Sequence, residues 1–298
     1  MRRVSRRLAR QLRDGVNRGA VALARVGRLG EYVVLDYPAS ARTAAVSRER
    51  GRMFDAIAAG EEEYVRSLRT IASFTDALAR VPVHADDERT PSWDNGFLPG
   101  LDAAALYAFI RSRAPRTYVE IGSGSSTRWA RRAIDDGGLS TRLVSIDPRP
   151  RSDVDSLCDL VVRRPLETAD PALFGQLESG DVVFVDGSHR VFTGSDATVF
   201  VLELLPALAP GVLVGVHDVY LPDDYPAGVA GRHYSEQYLL GALLLAGPGW
   251  LRPALAADYV SKRDTARREL RDLWDRRELK GAETHGVALW LEVAARVD

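Results

Sequence analysis

Short apolar runs alternate with amphipathic stretches along residues 100–220 of this chain. The runs are rich in β-branched and aromatic residues, a pattern typical of strands that are buried on both faces of a sheet. The stretches between them repeat apolar residues at helical spacing, which predicts helices. We predict strands at residues 117–121, 142–146, 160–162, 181–185 and 212–216, and helices at residues 101–113, 126–134, 171–177 and 197–208.

The order of these elements indicates the fold. Strands that alternate with helices form a parallel sheet, because each crossover between parallel strands needs a connecting segment, usually a helix on one face. Further along, the pattern predicts a helix at residues 234–245, a charged and solvated helix at 262–277 and a last strand at 287–293. The sequence therefore predicts an α/β protein with helices on both faces of the sheet.

The first 90 residues have a different texture. Residues 1–30 hold nine arginines and one acid, Asp14, and their apolar residues recur every four positions, which predicts a basic amphipathic helix. We interpret it as a solvated helix that packs on its own domain or on a second copy in a homo-oligomer; the alternative is a surface for anionic lipid or an acidic partner. Residues 43–80 also read as helical, and the polar stretch 86–91 breaks the pattern. We predict a helical extension over residues 1–90 and a main domain over 91–298.

The bulk composition excludes several function classes. A net charge of −1 gives no electrostatic reason to expect a nucleic acid partner. The single cysteine, Cys158, cannot form an internal disulfide and has no activating motif beside it, so we interpret it as a structural residue in a reducing compartment. No apolar run reaches the ~18 residues that span a bilayer. The arginine-rich start lacks the apolar segment of a secretory signal, and we expect a cytoplasmic protein.

A glycine-rich turn follows the first predicted strand. The turn contains Gly122 and Gly124, and glycine lets a backbone turn sharply and approach a ligand closely. Ligands of open parallel sheets bind at the carboxyl ends of the strands. The next strand ends at Asp147, a position from which a carboxylate accepts hydrogen bonds from a ribose diol. Both NAD and S-adenosylmethionine (SAM) carry that diol, so the turn has to distinguish them.

Two residues of the turn favour SAM. A dinucleotide-binding turn needs a third glycine, and this chain has Thr127 there. Glu120 would repel a pyrophosphate, whereas it can attract the ammonium group of the methionine tail of SAM, directly or through water. We therefore predict a SAM site formed by Glu120, Gly122, Ser123, Gly124, Thr127, Asp147 and Asp186.

Ionisable side chains follow the fourth and fifth strands. Asp186 and His189 come after the fourth strand, and His217 and Asp218 come directly after the fifth. Methyl transfer to a hydroxyl needs alignment and a route for the proton, and a neutral imidazole has a pKa near working pH. We predict His189 as the general base, with Asp186 and Asp218 as further catalytic residues. The alternative is a histidine that caps a helix or bonds a backbone carbonyl.

The loops beyond the fifth strand are the expected wall of the acceptor site, since loops at this edge of such a sheet carry binding residues. The candidates for contact with a small-molecule acceptor are His217, Tyr220 and Tyr234. Two residues before the first helix of the main domain, Trp93 and Asn95, are candidates for a lid over the cofactor, although each is better explained as a packing or turn residue.

The ordered motifs resemble those of a known family. Residues 118–127, residues 184–189 and residues 216–218 are similar, in order and spacing, to the bacterial class I SAM-dependent methyltransferases of the family 24 group. The resemblance implies a doubly wound, mostly parallel, seven-stranded Rossmann-like sheet and a SAM-dependent activity. One departure is Ser126, where many methyltransferases have glycine, so this position is less secure as a cofactor contact.

A looser resemblance concerns a metal. Macrocin-type and cephalosporin-hydroxylase-like O-methyltransferases of sugars and natural products carry acids after these two strands and bind Mg²⁺ there. The matching residues are Asp186, His217 and Asp218. Because histidine replaces one carboxylate, and imidazole shifts the preference toward transition metals, a divalent ion is an alternative to catalysis by His189 alone.

We interpret the chain as an O-methyltransferase of small hydroxylated acceptors, of the sugar or natural-product type. One rival is an NAD-dependent oxidoreductase, which the absence of a convincing hydride-transfer acid disfavours. A second rival is a SAM-binding scaffold protein without turnover, whose basic N-terminal helix serves a partner.

Overall fold

The computed structural model describes residues 15, 16, 19, 22, 51–247 and 249–296. The chain divides into two compact units, residues 1–45 and residues 46–298. In the first unit the four described residues, Gly15, Val16, Gly19 and Ala22, are helical and exposed. The rest of the predicted basic helix lies outside the described residues.

The second unit is built on a seven-stranded sheet. Its strands are β1 (Thr117–Ile121), β2 (Arg142–Ile146), β3 (Leu160–Val162), β4 (Val182–Val185), β5 (Leu213–Val216), β6 (Leu251–Ala256) and β7 (Leu289–Val293). They lie side by side in the order β3-β2-β1-β4-β5-β7-β6. The first five run parallel, and β7 pairs antiparallel with both β5 and β6. The predicted α/β class and doubly wound, mostly parallel sheet are therefore confirmed.

The order of the strands reverses between β1 and β4. From β1 the chain winds outward through β2 to β3 and then returns to start again at β4. Ligand sites of such sheets lie at this switch point, outside the carboxyl ends of the strands. The fold therefore brings the turn after β1 and the loops after β4 and β5 to one edge.

Twelve helices accompany the sheet in the described part of the second unit. They are α1 (Arg52–Ala58), α2 (Glu61–Ala72), α3 (Thr75–Leu78), α4 (Gly100–Arg113), α5 (Ser125–Gly137), α6 (Ala172–Gly175), α7 (Asp196–Val199), α8 (Ala227–Ala230), α9 (Glu236–Ala246), α10 (Ala257–Ser261), α11 (Asp264–Glu269) and α12 (Arg271–Trp274). None of the described helices is both long and apolar enough to cross a bilayer.

Helix α4 is the central helix of one layer. Every residue from Gly100 to Ile110 is buried, and the helix packs against α5 and α2. Helices α1 to α3 thus belong to the same compact unit as the sheet. The division into a helical extension over residues 1–90 and a main domain over 91–298 stays a prediction.

Three elements differ from the predicted pattern. The single charged helix predicted at residues 262–277 is two short helices, α11 and α12. Strand β6 was not predicted; the structure places it at the sheet edge, where Pro253 is tolerated. The helix predicted at residues 197–208 continues past α7 as a wide turn over Phe200–Leu204 and a tight turn over Leu205–Ala207. Pro206 lacks the N–H that a regular helix needs there.

Candidate active site

The turn after β1 is locked against the end of β4. Gly122 has a φ of +80°, a backbone conformation that other residues rarely adopt. A methyl group on its Cα would lie 1.9 Å from the backbone oxygen of Asp186. Only glycine fits this position without moving one strand end, so Gly122 fixes the distance between the turn and the residues after β4.

The second glycine of the turn borders open space. A methyl group on Gly124 would meet no atom within 4 Å. Its N–H donates to the Oγ1 of Thr127 at 3.0 Å, which caps α5. Because α5 is thirteen residues long, its first turn presents N–H groups and a partial positive charge to this space. A ligand can therefore approach the backbone at Gly124 closely.

Glu120 is fully buried beneath the turn. It accepts hydrogen bonds from the hydroxyl of Tyr118 at 3.1 Å and from the hydroxyl of Thr127. Burial raises the pKa of Glu120 to about 7, although the hydroxyls of Ser126, Thr127 and Tyr118 oppose the shift. The predicted pair Glu120 and Thr127 is thus brought together, but both side chains are inside the protein and bond each other rather than facing the open space.

Asp147 connects the ends of β1 and β2. Its carboxylate accepts from the N–H of Ser123 at 2.8 Å and from the N–H of Arg149 at 2.7 Å. Ser123 also bonds the hydroxyl of Ser145 at 2.7 Å. Asp147 is partly exposed, so it keeps acceptor capacity on the side that faces solvent. The predicted cofactor residues therefore lie along one edge, from β2 to β4.

The loops after β4 and β5 hold their chemistry-bearing residues in unusual backbone conformations. His189 has a φ of +60° and Asp218 a φ of +55°, which side-chain-bearing residues rarely adopt. Asp196, the first residue of α7, accepts from the N–H of Ser188 at 2.6 Å and from its hydroxyl at 2.5 Å, and so fixes the loop. Residues held in such conformations cluster at functional sites, because the surrounding structure must compensate for the strain.

His189 lies among three carboxylates. Its Nδ1 bonds the buried carboxylate of Glu236. Its Nε2 lies 3.1 Å from Oδ1 of Asp186 and 3.7 Å from Oδ2 of Asp218. Burial alone would lower the pKa of His189, but the carboxylates of Glu236 and Asp186 outweigh it and raise the pKa well above its ordinary value. The carboxylates thus favour the protonated imidazole, whereas the sequence analysis expected a neutral one, and His189 can act as a base only when Nε2 carries no proton.

Glu236 is a residue that the sequence analysis missed. It is the first residue of α9, and the backbone N–H groups of Ser235 and Glu236 donate to the carbonyl of His189 at 2.7 Å and 3.2 Å. The start of α9 thus holds the histidine by both its backbone and its ring. Its only sequence signal is an acid at a predicted helix start, which ordinarily indicates capping.

His217 is buried without a hydrogen bond. Neither ring nitrogen has a hydrogen-bond partner among the described residues. Its Nδ1 lies 3.5 Å from Oδ1 of Asp186, and its Nε2 lies 3.5 Å from Oδ2 of Asp102. Buried polar atoms usually have partners, so an unsatisfied imidazole indicates a site that a ligand completes. The predicted trio of Asp186, His217 and Asp218 does converge, with one ligand atom from each within 4.8 Å of the others.

Asp102 is a second missed residue. It lies in α4, is fully buried, and accepts from the N–H groups of Val287 at 2.7 Å and Ala288 at 3.0 Å just before β7. It thereby joins the central helix to the last strand directly behind His217. Nothing local in the sequence distinguishes it from an ordinary acid in a helix's first turn.

The predicted acceptor residues line the same cluster. The hydroxyl of Tyr220 lies 3.4 Å from Oδ1 of Asp218. The ring of Tyr234 lies over that of His189, with centroids 4.5 Å apart. Tyr225 contacts the rings of both Tyr220 and Tyr234 edge-on. The cluster therefore has an aromatic wall on the α9 side.

The two residues considered as a lid over the cofactor, Trp93 and Asn95, bond to the protein backbone instead. Trp93 is 1% exposed and donates to the carbonyl of Val81. Asn95 bonds the backbone of the loop on both sides, accepting from the N–H of Leu98 at 2.7 Å and donating to the carbonyl of Ser92 at 3.0 Å. In this structure they act as a core residue and a turn residue.

The chain was compared with proteins of known function and with solved structures. No protein of curated function matches the chain significantly. Among solved structures, the chain is similar to an O-methyltransferase from Bacillus cereus in complex with SAH (14% identity, TM-score 0.40, 77% of this chain and 91% of that chain). It is also similar to the O-methyltransferase TomG from Streptomyces achromogenes, involved in tomaymycin synthesis and bound to SAM (20%, 0.38, 84% and 92%). A third is the SAH-bound methyltransferase PaMTH1 from Podospora anserina (18%, 0.38, 63% and 81%).

The family comparison concerns the segment that carries the site. Residues 119–219 match the model of a family described as a methyltransferase domain, the family 24 group. This segment runs from β1 to the loop after β5 and includes Gly122, Asp147, Asp186, His189, His217 and Asp218. The match over residues 119–219 thus agrees with the methyltransferase motifs that the sequence predicted there.

Proposed function

We propose that this chain is a SAM-dependent O-methyltransferase that acts on a small hydroxylated acceptor. The observation that carries the proposal is the contact between Gly122 and Asp186. This contact joins the turn that carries Gly124, where a cofactor can bind, to the cluster of acids and imidazoles after β4 and β5. A methyl donor and a hydroxyl acceptor bound at these two places would face each other.

The cofactor side suits SAM. The N-terminus of α5 and the N–H groups of the turn can bind the methionine carboxylate, and Asp147 can accept the ribose hydroxyls on its exposed side. Asp186 and Asp218 are the carboxylates nearest the place of transfer. Their negative charge is favourable for a sulfonium cation. Burial raises the pKa of Glu120 beneath the turn to about 7, and a bound cation would shift this carboxyl back toward its ionised form.

The chemistry is a single displacement. Bound SAM would supply an electrophilic methyl carbon to the acceptor oxygen, and the electron pair of the carbon–sulfur bond would go to sulfur, giving a neutral thioether as the leaving group. The hydroxyl proton passes to Nε2 of His189, which must be unprotonated when the acceptor binds. Glu236 keeps the other ring nitrogen bonded, so that Nε2 stays directed at the cluster.

A divalent cation is the second candidate for handling the proton, and the residues present fit one. The buried Nδ1 of His217 forms no hydrogen bond within the described residues and lies near Asp186 and Asp218, and these three residues would hold the ion. Two carboxylates and an imidazole favour a transition metal over Mg²⁺. A bound cation supplies charge stabilisation to an acceptor alkoxide or phenolate. Asp186 and Asp218 would then also position the acceptor, and His189 would donate or accept a hydrogen bond without acting as the base.

The decisive experiment is calorimetric titration of the purified protein with SAM, S-adenosylhomocysteine (SAH) and NAD. SAM and SAH should bind, and Asp147→Ala should weaken both by roughly tenfold through loss of a ribose contact. Binding of NAD without SAM would overturn the proposal. SAM binding without turnover on any hydroxylated acceptor would support the scaffold alternative instead, and turnover with and without EDTA distinguishes a metal from His189.

A further inference from the structure

Two arginines stand at the rim of the acid and imidazole cluster. Arg190 follows His189 directly, and Arg232 lies between α8 and α9. Their guanidinium carbons lie 5.6 Å and 5.8 Å from the ring centroid of Tyr234. The imidazole of His189 also lies against that ring, with centroids 4.5 Å apart. Tyr234 therefore contacts both the predicted catalytic imidazole and two positive charges.

The positive charge of this pair is available. Arg190 donates from Nε to the carbonyl of Arg232 at 3.0 Å, and Arg232 donates from Nη1 to the hydroxyl of Tyr234 at 3.3 Å. These bonds use neutral acceptors, and neither guanidinium forms an ion pair with a carboxylate in the described part of the chain. By contrast, Arg131 and Arg163 pair with acids after β2. Arg232 is exposed and Arg190 partly so, which leaves most of their N–H donors free to bind an anion.

The site is thus polarised along its length. Its interior holds the carboxylates of Asp186, Asp218 and Glu236, and its rim holds Arg190 and Arg232. Opposite charges at the two ends orient a ligand that carries a complementary charge at one of them. The interior is unfavourable for an anion, whereas paired guanidinium groups bind carboxylates and phosphates with good geometry.

We propose that the acceptor is a hydroxylated ring compound with an anionic substituent, a carboxylate or a phosphate, which Arg190 and Arg232 bind. The hydroxyl end points toward His189 and the anion toward the rim. Tyr220 and Tyr234, which are both partly exposed, offer aromatic edges for the body of the acceptor. This inference rests on the proposed function, whose cofactor end it does not involve.

The test uses the full chain saturated with SAH. Calorimetric titration compares protocatechuate with its amide, glucuronate with glucose, and ribose phosphate with ribose. In at least one pair the anionic member should bind about tenfold more tightly or better, because it gains charge-assisted hydrogen bonds. The pair that shows the preference identifies whether a carboxylate or a phosphate is the preferred group.

Variants assign the preference to the rim. In Arg190→Gln with Arg232→Gln the preference should disappear while SAH affinity is unchanged, and in the matching double lysine variant it should be partly restored. The control is Arg267→Gln, on exposed α11, which should keep the full preference. Equal affinity for both members of every pair, absence of binding by any anionic probe, or a preference that survives the double glutamine variant overturns the inference. A protein that fails to bind SAH contradicts the proposed function instead, so the two failures are distinguishable.

Discussion

The turn after β1 and the cluster after β4 and β5 lie side by side, yet they differ in how their polar groups are satisfied. In the turn, Glu120 is bonded by Thr127 and Tyr118, and Asp147 by Ser123. In the cluster, His217 is buried and neither ring nitrogen forms a hydrogen bond within the described residues, although both lie 3.5 Å from carboxylate oxygens. The buried side chains of the turn thus have hydrogen-bond partners without a ligand, whereas His217 in the cluster does not.

This difference separates two tasks within one site. A cofactor that is the same in every turnover can be bound by a preorganised backbone, which the bonds among Glu120, Thr127 and Gly124 provide. The acid and imidazole cluster retains opposed charges and two left-handed residues, His189 and Asp218. Such stored strain is typical of the place where bonds change. Changes in the turn should therefore alter folding and cofactor binding, and changes in the cluster should alter turnover.

The largest effect is expected at His189. His189→Gln keeps a group that can bond Glu236 but removes the base, so kcat should fall by about a hundredfold to ten-thousandfold. SAM affinity, measured by calorimetry, should stay within about twofold because the turn is intact. Steady-state methyl transfer to a hydroxylated acceptor measures the first quantity.

The matched control for that variant is His285→Gln, because His285 is exposed and lies outside the loops after β4 and β5. It should leave both kcat and SAM affinity unchanged. If His189→Gln retains full turnover at neutral pH, His189 is not the base, and the cation becomes the better explanation.

The same substitution at Gly122 and at Gly124 provides the next test. The two glycines are chemically identical, but Gly122 is packed against a backbone and Gly124 borders open space. Gly122→Ala forces a methyl group against the backbone of Asp186 at a positive φ, and should cost about 3 kcal/mol or more of unfolding free energy. Gly124→Ala adds its methyl group to open space, so the fold should be unaffected while SAM binding weakens. Urea denaturation and calorimetry measure the two quantities. Equal stability losses in both variants would contradict the difference between the two glycines.

Glu120 gives the turn a pH dependence. Its pKa is about 7 in the folded protein and 4.5 in its ordinary state, so the folded form holds the proton longer than the unfolded form does. The resulting stability is fully present below about pH 4.5 and is lost as the pH rises through about 7. The loss is on the order of 3 kcal/mol across this window.

Glu120→Gln should lack that loss, since glutamine does not titrate. The measurement is the unfolding free energy of both proteins without cofactor, by urea denaturation at several values of pH. The difference between the two proteins isolates Glu120 from the other titrating groups. A difference that is constant across the window would show that Glu120 ionises as freely in the folded protein as in the unfolded chain.

Much of the sheet and of the turn followed from local sequence. Strands β1 to β3 lie where the apolar pattern predicted them, and the glycines of the turn carry their own signal in their spacing. What local patterns cannot show is contact across the fold. Glu236 reaches His189 from 47 positions away because α9 returns to the cluster, and Asp102 reaches His217 from α4.

The residues predicted for one task also differ in how they are placed. The sequence groups Glu120, Thr127 and Asp147 as cofactor contacts, and only Asp147 has a side chain partly open to solvent. Burial depends on packing of β1 beneath α5, which a motif does not specify. The spacing of a motif thus located the site, whereas the contacts that hold His189 had to come from the structure.

The smallest expected effect concerns Glu236, which touches the imidazole from behind and reaches no reactant. As a positioning residue it holds the Nδ1 side of His189, while the N–H groups at the start of α9 hold its carbonyl. Glu236→Gln retains the size and a hydrogen bond but loses the charge, so kcat should fall by about tenfold with the KM for SAM unchanged. Glu236→Asp keeps the charge at a shorter reach and should recover part of the loss. The control is the exposed Glu278→Gln, which should behave as the wild type. A merely structural role for Glu236 predicts the opposite division: a lower melting temperature in Glu236→Gln with kcat unchanged for the protein that remains folded.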